Sequence, residues 1–277
     1  MNKKVICFLS ILHCCLITTS SKTEFLEEKP IVILITSYNN SEWYNWNLSS
    51  VFEQTYTNYR IIYVDDCSTD GTYQLVIEKI KHHTKHSIQI LRNTENKGVL
   101  ANVYAATHTC ADEEIVVILD GDDAFAHPDV LTRINTAYHN NNVWMTYGQY
   151  KESEAQKVGK CAAIPITFVQ RNAYREYPWV TSHLRTYYAW LFKRIHKESL
   201  MFNGAFFPVT SDLAAMFPML EMAGGRFEFI NELLYVYNTK NRLNNFKLRR
   251  KTQLACERII RRLPRYQPLL PIVSNTQ

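Results

Sequence analysis

Three carboxylates stand within four positions of this chain, at Asp120, Asp122 and Asp123. They follow an apolar run over residues 115–119, which predicts a buried strand. Like charges at this spacing disfavour one another's ionisation, and a hard cation such as Mg²⁺ or Mn²⁺ relieves that cost by binding carboxylate oxygens. A solvated acidic turn fits the Asp-Gly step equally well. The segment alone leaves a metal–diphosphate site and a turn both open.

Polar residues also end two earlier apolar runs. Thr36 and Tyr38 stand at the end of the run over residues 31–36, and Asp65 follows the run over residues 59–64. A carboxylate in that position can accept a hydrogen bond from the imide N–H of a nucleobase, and selection of uracil needs such an acceptor. The carboxyl ends of strands are where open α/β sheets bind their ligands. These side chains are therefore candidates for a nucleotide pocket.

The residues after Asp65 also have a purely structural interpretation. Asp70 or Thr69 can cap the next helix, and Gly71 permits a tight turn before it. Lys97 precedes another glycine at the start of a helical pattern, so it either belongs to a simple helix start or gives a basic contact to a nucleotide.

Strand and helix patterns alternate after Pro30, which predicts an α/β domain with a mostly parallel sheet and helices on both faces. The second half is less regular, and residues 150–178 show only weak periodicity. The predicted strands cover residues 31–36, 59–64, 87–91, 115–119, 143–147 and 233–237. The predicted helices cover residues 41–54, 71–82, 99–107, 128–138, 183–195, 212–223 and 244–262.

Length and composition indicate an ordinary globular protein. The 277 residues are 46% hydrophobic and 21% charged, which argues against disorder and collagen-like structure. Three of the seven cysteines lie in the first 21 residues, and the others are widely scattered without a zinc-binding spacing. Two disulfides are conceivable in a secreted protein, but we favour small buried thiols. The four scattered cysteines are Cys67, Cys110, Cys161 and Cys256.

Both ends of the chain suggest a membrane. Residues 1–21 combine two early lysines, an apolar run and small residues, which is typical of a signal peptide or a short membrane anchor. Residues 241–277 form a basic tail with a helical pattern. Such a helix can lie on an anionic membrane surface, although a packed helix with a solvated face is the favoured interpretation. No nucleic-acid-binding motif accompanies the charge.

Four segments, in order and each at a predicted strand end or helix start, resemble the signature of family 2 glycosyltransferases with the GT-A fold. The resemblance covers residues 30–129 and implies a GT-A domain over residues 30–240. Residues 30–125 would be its nucleotide-sugar-binding half and residues 126–240 its acceptor half. The segments are Thr36-Ser37-Tyr38-Asn39, Val64-Asp65-Asp66-Cys67-Ser68-Thr69-Asp70-Gly71-Thr72, Asn96-Lys97-Gly98 and Leu119-Asp120-Gly121-Asp122-Asp123.

The resemblance implies a nucleotide-sugar donor, with a UDP-sugar as the expected one, and Mn²⁺ or Mg²⁺. By it, Thr36, Tyr38 and Asp65 line the nucleobase pocket, and Asp120 lies near the ribose or the sugar. Asp122 bridges to the metal and the diphosphate, and Asp123 assists. A histidine metal ligand near the end of some GT-A enzymes is missing here, since no histidine follows His196.

The resemblance also implies a general base in the second half. The family has an acidic pair at a helix start, where this chain has Ser211 followed by Asp212, so Asp212 is the expected base. Ser211 departs from the pair, and Asp212 can also be explained as a helix N-cap. Arg185 is expected to hold the diphosphate or an anionic acceptor, with a surface arginine as the alternative. One base opposite the leaving group implies single displacement with inversion.

These expectations describe transfer of a sugar to a hydroxyl of a carbohydrate, lipid or protein. One rival is a sugar-phosphate nucleotidyltransferase, but the first strand lacks the Gly-rich, basic phosphate loop of such enzymes. Another is a catalytically silent carbohydrate-binding protein of the same fold, against which the retained Asp122, Asp123 and Asp212 argue. The leader predicts a membrane-associated or exported protein, and a cytoplasmic one if residues 1–21 are not functional.

Overall fold

The structure is a computed structural model that describes residues 26–83, 85–243 and 249–270. The predicted leader over residues 1–21 and the first part of the predicted tail helix lie outside the described residues. The strands are β1 (Ile31–Ser37), β2 (Tyr59–Asp65), β3 (Ile88–Arg92), β4 (Ile115–Asp120), β5 (Ala124–Phe125), β6 (Met145–Glu152), β7 (Arg185–Tyr188), β8 (Met201–Phe202), β9 (Ala205–Phe206) and β10 (Phe227–Tyr237). The helices are α1 (Tyr44–Phe52), α2 (Thr72–Ile80), α3 (Val99–His108), α4 (Val130–Tyr138), α5 (Ile166–Gln170), α6 (Ala189–Lys193), α7 (Ser211–Ala223) and α8 (Arg250–Arg262).

One mixed sheet organises the domain, and it confirms the predicted α/β fold. Eight strands lie in the order β3-β2-β1-β4-β7-β6-β10-β5, and β8 and β9 form a separate hairpin. β1 pairs in parallel with β2 and β4, β2 pairs in parallel with β3, and β6 pairs in parallel with β10. β7 is antiparallel to both β4 and β6, and β5 is antiparallel to β10.

Both faces of the sheet are covered, because the side chains of a strand alternate between them. In β1, Val32 and Leu34 enter a core shared with side chains of α3 and α7. Ile31, Ile33 and Ile35 enter the opposite core, together with side chains of α1, α2 and α4. All seven residues of β1 are buried, which explains its continuous apolar pattern.

The first half follows the predicted order of elements, with one shifted boundary. α1 begins at Tyr44 rather than at residue 41, because the backbone N–H of Ser41 is donated to the Asp70 carboxylate 2.9 Å away. The N-cap of α2 is Gly71 and not the predicted Thr69 or Asp70, although Asp70 accepts hydrogen bonds from both the backbone N–H and the hydroxyl of Thr72 at the start of the helix. Gly71 takes the left-handed conformation there, with φ of 89°.

The second half departs further from the prediction. The helix expected over residues 183–195 is wrong, because its first part is strand β7 and only the short α6 follows. The strand expected over residues 233–237 begins six residues earlier, at Phe227, and its register against β6 is irregular around Leu233. β5 was not predicted, and two residues are too few for a periodicity signal.

The C-terminal segment packs behind α7 through a buried ion pair. Arg175 and Glu221 pair by two hydrogen bonds, with side chains 2% and 0% exposed. Arg175 also donates to the backbone oxygen of Ile260 in α8 at 2.6 Å, and the backbone N–H of Tyr266 donates to Glu221 at 3.0 Å. The buried Glu221 carboxylate and its partner Arg175 therefore join α7, the segment around Arg175 and the C-terminal segment.

The scattered cysteines are thiols. Cys110, Cys161 and Cys256 are buried and Cys67 is half-buried, which agrees with the interpretation as small apolar residues for three of the four. Burial raises the pKa of Cys110 and of Cys161 to about 11, so both stay protonated at neutral pH. No helix within the described ranges has the length and apolar character needed to cross a bilayer.

Candidate active site

The polar ends of β1, β2 and β4 meet at one edge of the sheet because these strands are parallel and in register. Ser37 of β1 pairs with Asp65 of β2, and Thr36 pairs with Asp120 of β4. This edge, with Asp122 just beyond β4, is called the donor edge below.

Asp65 and Thr36 bring unpaired polar atoms to the donor edge. The Asp65 side chain is fully buried, and its Oδ2 accepts from the backbone N–H of Ser68 at 3.2 Å and faces Arg92 at 3.4 Å. Its Oδ1 and the Thr36 hydroxyl oxygen are buried with no hydrogen-bond partner among the described residues. A buried polar atom without a partner is costly, so a ligand that donates to Asp65 would be stabilised here. Tyr38, 41% exposed, stands at the rim.

The loop that carries Lys97 is held by its backbone. Asp66 accepts hydrogen bonds from the backbone N–H groups of Lys97 at 2.9 Å and Gly98 at 2.8 Å. The Lys97 side chain is exposed and has no ion pair with another described residue. The loop is thus both a helix start and a place from which a lysine can reach a ligand.

The segment after β4 is packed too tightly to accept a side chain at Gly121. A Cβ atom built there would lie 2.7 Å from the Cβ of Ser37 and 3.0 Å from the amide nitrogen of Asn40. Asn47 fixes the same segment from below by donating to the backbone oxygens of Asp120 at 3.0 Å and Asp123 at 2.8 Å. The glycine lets β4 approach β1 closely and sets the spacing of the two flanking carboxylates.

Asp122 is a half-buried carboxylate with one engaged oxygen. Its Oδ2 accepts from the Asn241 amide at 2.7 Å, whereas its Oδ1 has no partner among the described side chains. Burial, with the nearby charge of Asp120, raises the pKa of Asp122 to about 6. The carboxylate is therefore poised to gain from a cation.

Asp123 differs from Asp120 and Asp122 because its carboxylate is buried and both of its oxygens are hydrogen-bonded within the protein. It is 1% exposed, its Oδ2 accepts from the Tyr235 hydroxyl, and its Oδ1 accepts from the backbone N–H of Asn238 at 2.6 Å. Burial and the charge of Asp122 raise its pKa well above the usual range. Both oxygens face protein donors, so the geometry favours a role in joining β4 to the end of β10 over the expected role beside a metal.

Arg185 lies at the centre of the site. β7 places it 7% exposed beside β4, where its Nη2 lies 3.5 Å from Asp120 Oδ2. Burial alone would lower the pKa of Arg185, but the charges of Asp120 and Asp212 outweigh burial and raise it. The alternative of an ordinary surface arginine is wrong, since the side chain is enclosed between the two carboxylates.

Asp212 stands in the first turn of α7, close enough to Arg185 for its charge to act on the guanidinium. The residue before the helix is Thr210, which has a left-handed φ of 58°, so Asp212 is not the N-cap residue. Its side chain is half-buried, and the surrounding protein raises its pKa by desolvation, although Arg185 counteracts this. A carboxylate with a raised pKa is a stronger base once it is ionised.

A small cavity lies between α3 and α7, in contact with the site. Arg185, Ser211 and Asp212 line its polar side. Tyr187 and aliphatic side chains line the rest, and the aliphatic ones include Val99, Leu100, Val103, Ala215, Met216 and Met219. Its volume is about 30 Å³.

Two residues that support the site, Tyr235 and Asn241, are not predicted as site residues from the sequence. Tyr235 donates to Asp123 and stacks on His183, with ring centroids 4.5 Å apart. Asn241 reaches Asp122 from beyond β10. Tyr235 lies in the predicted strand over residues 233–237, and no local pattern marks Asn241.

The residues present fit a divalent cation that is completed by its ligand. Asp120 and Asp122 offer hard carboxylate oxygens, and a cation such as Mg²⁺ is commonly held by one or two carboxylates together with substrate phosphates. Among the described residues, no three histidine, cysteine, aspartate or glutamate side chains form a group that could hold a metal ion unaided. A diphosphate would have to supply the remaining ligands.

The mixed α/β sheet with carboxylates at one edge has the architecture of the GT-A fold. Comparison of the sequence with known families assigns the family. Residues 32–200, more than half of the chain, match the family described as Glycosyl transferase family 2. The chain belongs to this family.

A relative and two solved structures illustrate the similarity. The UDP-Glc:alpha-D-GlcNAc-diphosphoundecaprenol beta-1,3-glucosyltransferase WfgD of Escherichia coli is 29% identical over 126 residues, which cover 46% of this chain and 47% of that enzyme. The chain thus spans less than half the length of this relative.

The fold is shared with S. aureus TarS in complex with UDP-GlcNAc, at a TM-score of 0.58 and 17% identity, over 76% of this chain and 59% of that one. It is also shared with the mannosyltransferase PcManGT from Pyrobaculum calidifontis in complex with GDP-Man and Mn²⁺, at a TM-score of 0.59 and 19% identity, over 87% of this chain and 66% of that one.

Proposed function

We propose that this protein is an inverting, metal-dependent glycosyltransferase that moves a sugar from a UDP-sugar to a hydroxyl acceptor. The observation that carries the proposal is the convergence of Asp120, Arg185 and Asp212. A buried arginine lies 3.5 Å from a carboxylate of the donor edge, and it lines one cavity with a carboxylate of α7. Arg185 can therefore contact an anionic donor bound at the donor edge while a base on α7 lies next to the same site.

The donor edge supports a uracil nucleotide. The unpaired Oδ1 of Asp65 can accept the imide N–H of the base, and Tyr38 stands at the rim, where an aromatic ring can cover the base. Lys97 is exposed on the loop that Asp66 holds next to this edge, and it would give the nucleotide a basic contact. The complexes of TarS with UDP-GlcNAc and of PcManGT with GDP-Man and Mn²⁺ show that this fold accommodates nucleotide sugars.

Asp120 and Asp122 would hold Mn²⁺ or Mg²⁺ with the diphosphate, and Asp123 would assist only by fixing the loop. When bound, the metal would stabilise the charge that develops on the leaving diphosphate. Arg185, enclosed next to Asp120, would share this task because a guanidinium suits phosphate oxygens. Asn241 would hold the Asp122 carboxylate in one orientation through its 2.7 Å hydrogen bond.

Asp212 would be the general base. A sugar hydroxyl is a poor nucleophile, and a positioned carboxylate can take its proton as attack proceeds. Asp212 lines the same cavity as Arg185, and an acceptor hydroxyl beside Asp212 would attack the sugar from the side opposite the diphosphate. That arrangement gives a single displacement with inversion.

The test is a panel of UDP-, GDP- and dTDP-sugars, with binding and hydrolysis measured in Mn²⁺, Mg²⁺ and chelator. Metal-dependent binding and turnover of UDP-sugars support the proposal. Selective use of another nucleotide would contradict the role of Asp65, and binding without turnover for every donor and simple sugar acceptor would indicate the silent carbohydrate-binding alternative.

A location at a membrane is part of the proposal. The predicted leader and the exposed basic residues of α8, Lys251, Arg258 and Arg262, support contact with an anionic membrane surface. The acceptor would then be a carbohydrate or lipid hydroxyl presented there. Cell fractionation of the full chain and of a variant without residues 1–21 tests this, and a full chain found only in the soluble fraction would contradict it.

A further inference from the structure

The hydroxyl of Tyr235 lies between Asp120, the last residue of β4, and Asp123 just after it. Its oxygen is 2.5 Å from Asp123 Oδ2 and 3.4 Å from Asp120 Oδ2, and it accepts from the backbone N–H of Asp120 at 3.3 Å. A phenol has one proton to donate, and the shorter distance assigns that proton to Asp123. One side chain of β10 therefore holds the backbone at the end of β4 and the carboxylate that follows it.

An aromatic stack in turn holds Tyr235. The ring of His183 lies nearly parallel to the ring of Tyr235, with centroids 4.5 Å apart and 11° between the planes. Tyr237 is also nearly parallel to His183 at 5.5 Å, and Tyr150 meets the His183 ring edge-on at 5.4 Å. Stacked and edge-to-face rings attract each other beyond the apolar area that they bury. His183, just before β7, therefore joins the neighbouring strands β6 and β10 at this end of the sheet.

The ring face of His183, and not its nitrogen atoms, makes these contacts. Nδ1 of His183 is buried and has no hydrogen-bond partner among the described residues. Burial and the charge of Arg185 lower the pKa of His183 well below its usual value, so the imidazole is neutral at neutral pH. A buried nitrogen without a partner is costly, so a phenyl ring at this position would keep the stack and remove that cost.

We propose that His183 is a positioning residue for the donor edge and that it acts through the hydroxyl of Tyr235, an inference that rests on the proposed function. The ring of His183 fixes the ring of Tyr235, and the hydroxyl of Tyr235 fixes Asp120. In the proposed function Asp120 holds the metal with the diphosphate, so displacement of this hydroxyl changes the metal site without any contact from His183 to the substrate. A role of His183 as an acid, a base or a metal ligand would instead need one of its nitrogens.

The first test removes the hydroxyl of Tyr235 and keeps its ring. In Tyr235→Phe, we expect the affinity of the full chain for Mn²⁺ in the presence of UDP to fall by about 10- to 100-fold, the range for residues that orient metal ligands. Calorimetric titration measures this affinity. The control is Tyr56→Phe, which removes a buried hydroxyl that donates to the backbone oxygen of Lys29 at 2.6 Å and should leave the affinity unchanged. A Tyr235→Phe protein that binds Mn²⁺ as tightly as the unaltered chain overturns the inference.

The second test separates the ring face of His183 from its nitrogens. His183→Phe keeps a flat ring, whereas His183→Gln keeps a polar group and removes the ring. We expect His183→Phe to retain the affinity for Mn²⁺ within about twofold and His183→Gln to lower it by about tenfold. The kcat/KM for hydrolysis of the donor should follow the same order. The opposite order, with His183→Gln active and His183→Phe impaired, would show that a nitrogen is required and would overturn the inference.

The proposed function and this inference fail separately. An unaltered chain that binds no Mn²⁺ in the presence of UDP overturns the proposed function, and the inference with it. If the unaltered chain binds both and His183→Gln binds Mn²⁺ equally well, only the inference is overturned. If His183→Gln does not fold, Tyr235→Phe and His183→Phe decide, since the first must weaken Mn²⁺ binding and the second must retain it.

Discussion

The donor edge, formed by the ends of β1, β2 and β4, and the wall opposite it, formed by β7 and α7, are positioned by different parts of the chain. At the donor edge, parallel register alone places Thr36, Asp65 and Asp120 together. On the wall, Arg185 depends on an antiparallel strand inserted between β4 and β6, and Asp212 depends on a helix packed against the C-terminal segment. The ends of apolar runs mark the first arrangement in the sequence, whereas no local pattern marks the contacts that position the second.

This difference has a physical consequence for substitutions. A residue at a strand end can be altered without removing much of the buried core, so its loss should affect binding and chemistry alone. A residue that supports α7 from behind is part of a buried polar network, so its loss should cost stability as well. The predictions below separate these two kinds of effect.

The largest effect is expected for Asp122→Asn. Loss of the charge should reduce metal-dependent donor turnover by about 10⁴-fold, because the metal supplies several kcal/mol of charge stabilisation. The melting temperature should change little. Donor hydrolysis against Mn²⁺ concentration is the measurement, with Asp129→Asn on the exposed part of the same segment as the control. Full activity in the Asp122 variant would remove the metal assignment.

Asp212→Asn should separate binding from chemistry. We expect donor affinity to stay within about twofold and transfer to fall by about 10³-fold, within the range that a general base contributes. Calorimetric titration with UDP and single-turnover transfer measure the two quantities. Transfer at the original rate would mean that the base lies elsewhere.

Arg175→Met tests the support behind α7. It leaves the Glu221 carboxylate buried without its partner, so the free energy of unfolding should fall by about 3–5 kcal/mol. Arg133→Met removes half-exposed pairs with Glu228 and Glu232 and should cost less than about 1 kcal/mol. Denaturant unfolding compares the two variants. Equal stability losses would contradict the view that the buried pair behind α7 supports the wall more strongly than half-exposed pairs elsewhere.

The acid limb of the pH profile should report on Asp212. Transfer needs the unprotonated carboxylate, and burial raises its pKa, so the rate should fall with decreasing pH at a higher pH than for an ordinary aspartate. Arg185 holds that pKa down, and Arg185→Met should therefore move the acid limb of kcat/KM upward by about one pH unit or more. Arg185→Lys keeps the charge and should move it less. An acid limb of kcat/KM that does not shift in Arg185→Met would show that Arg185 does not control the pKa of the general base.

Asn241→Ala should have the smallest effect. It frees Asp122 Oδ2 from its 2.7 Å hydrogen bond, so the affinity for Mn²⁺ in the presence of UDP should fall by about tenfold. Asn142→Ala, on an exposed turn, should leave it unchanged. Unaltered metal affinity in the Asn241 variant would show that the contact does not orient Asp122.

The sequence predicts the residues of the donor edge better than those of the wall, because strand ends are visible in the local sequence and the contacts that form the wall are not. Asp65 and Asp120 end apolar runs, and run ends of parallel strands must lie together. The sequence predicts a helix over the aromatic-rich segment with Arg185, whereas pairing with β4 and β6 makes its first part a strand. The bond between Tyr235 and Asp123 joins residues 112 positions apart, and no local pattern reports such a contact.

The packing around Gly121 limits where the substrate range of this protein can change. Every side chain larger than hydrogen would collide with Ser37, so position 121 must stay glycine. The distance between the Asp120 and Asp122 carboxylates is therefore constrained. Random mutagenesis that retains activity should return only glycine at this position, while the aliphatic walls next to α7 tolerate exchange. New sugar specificities would then arise through the walls around an unchanging pair of carboxylates.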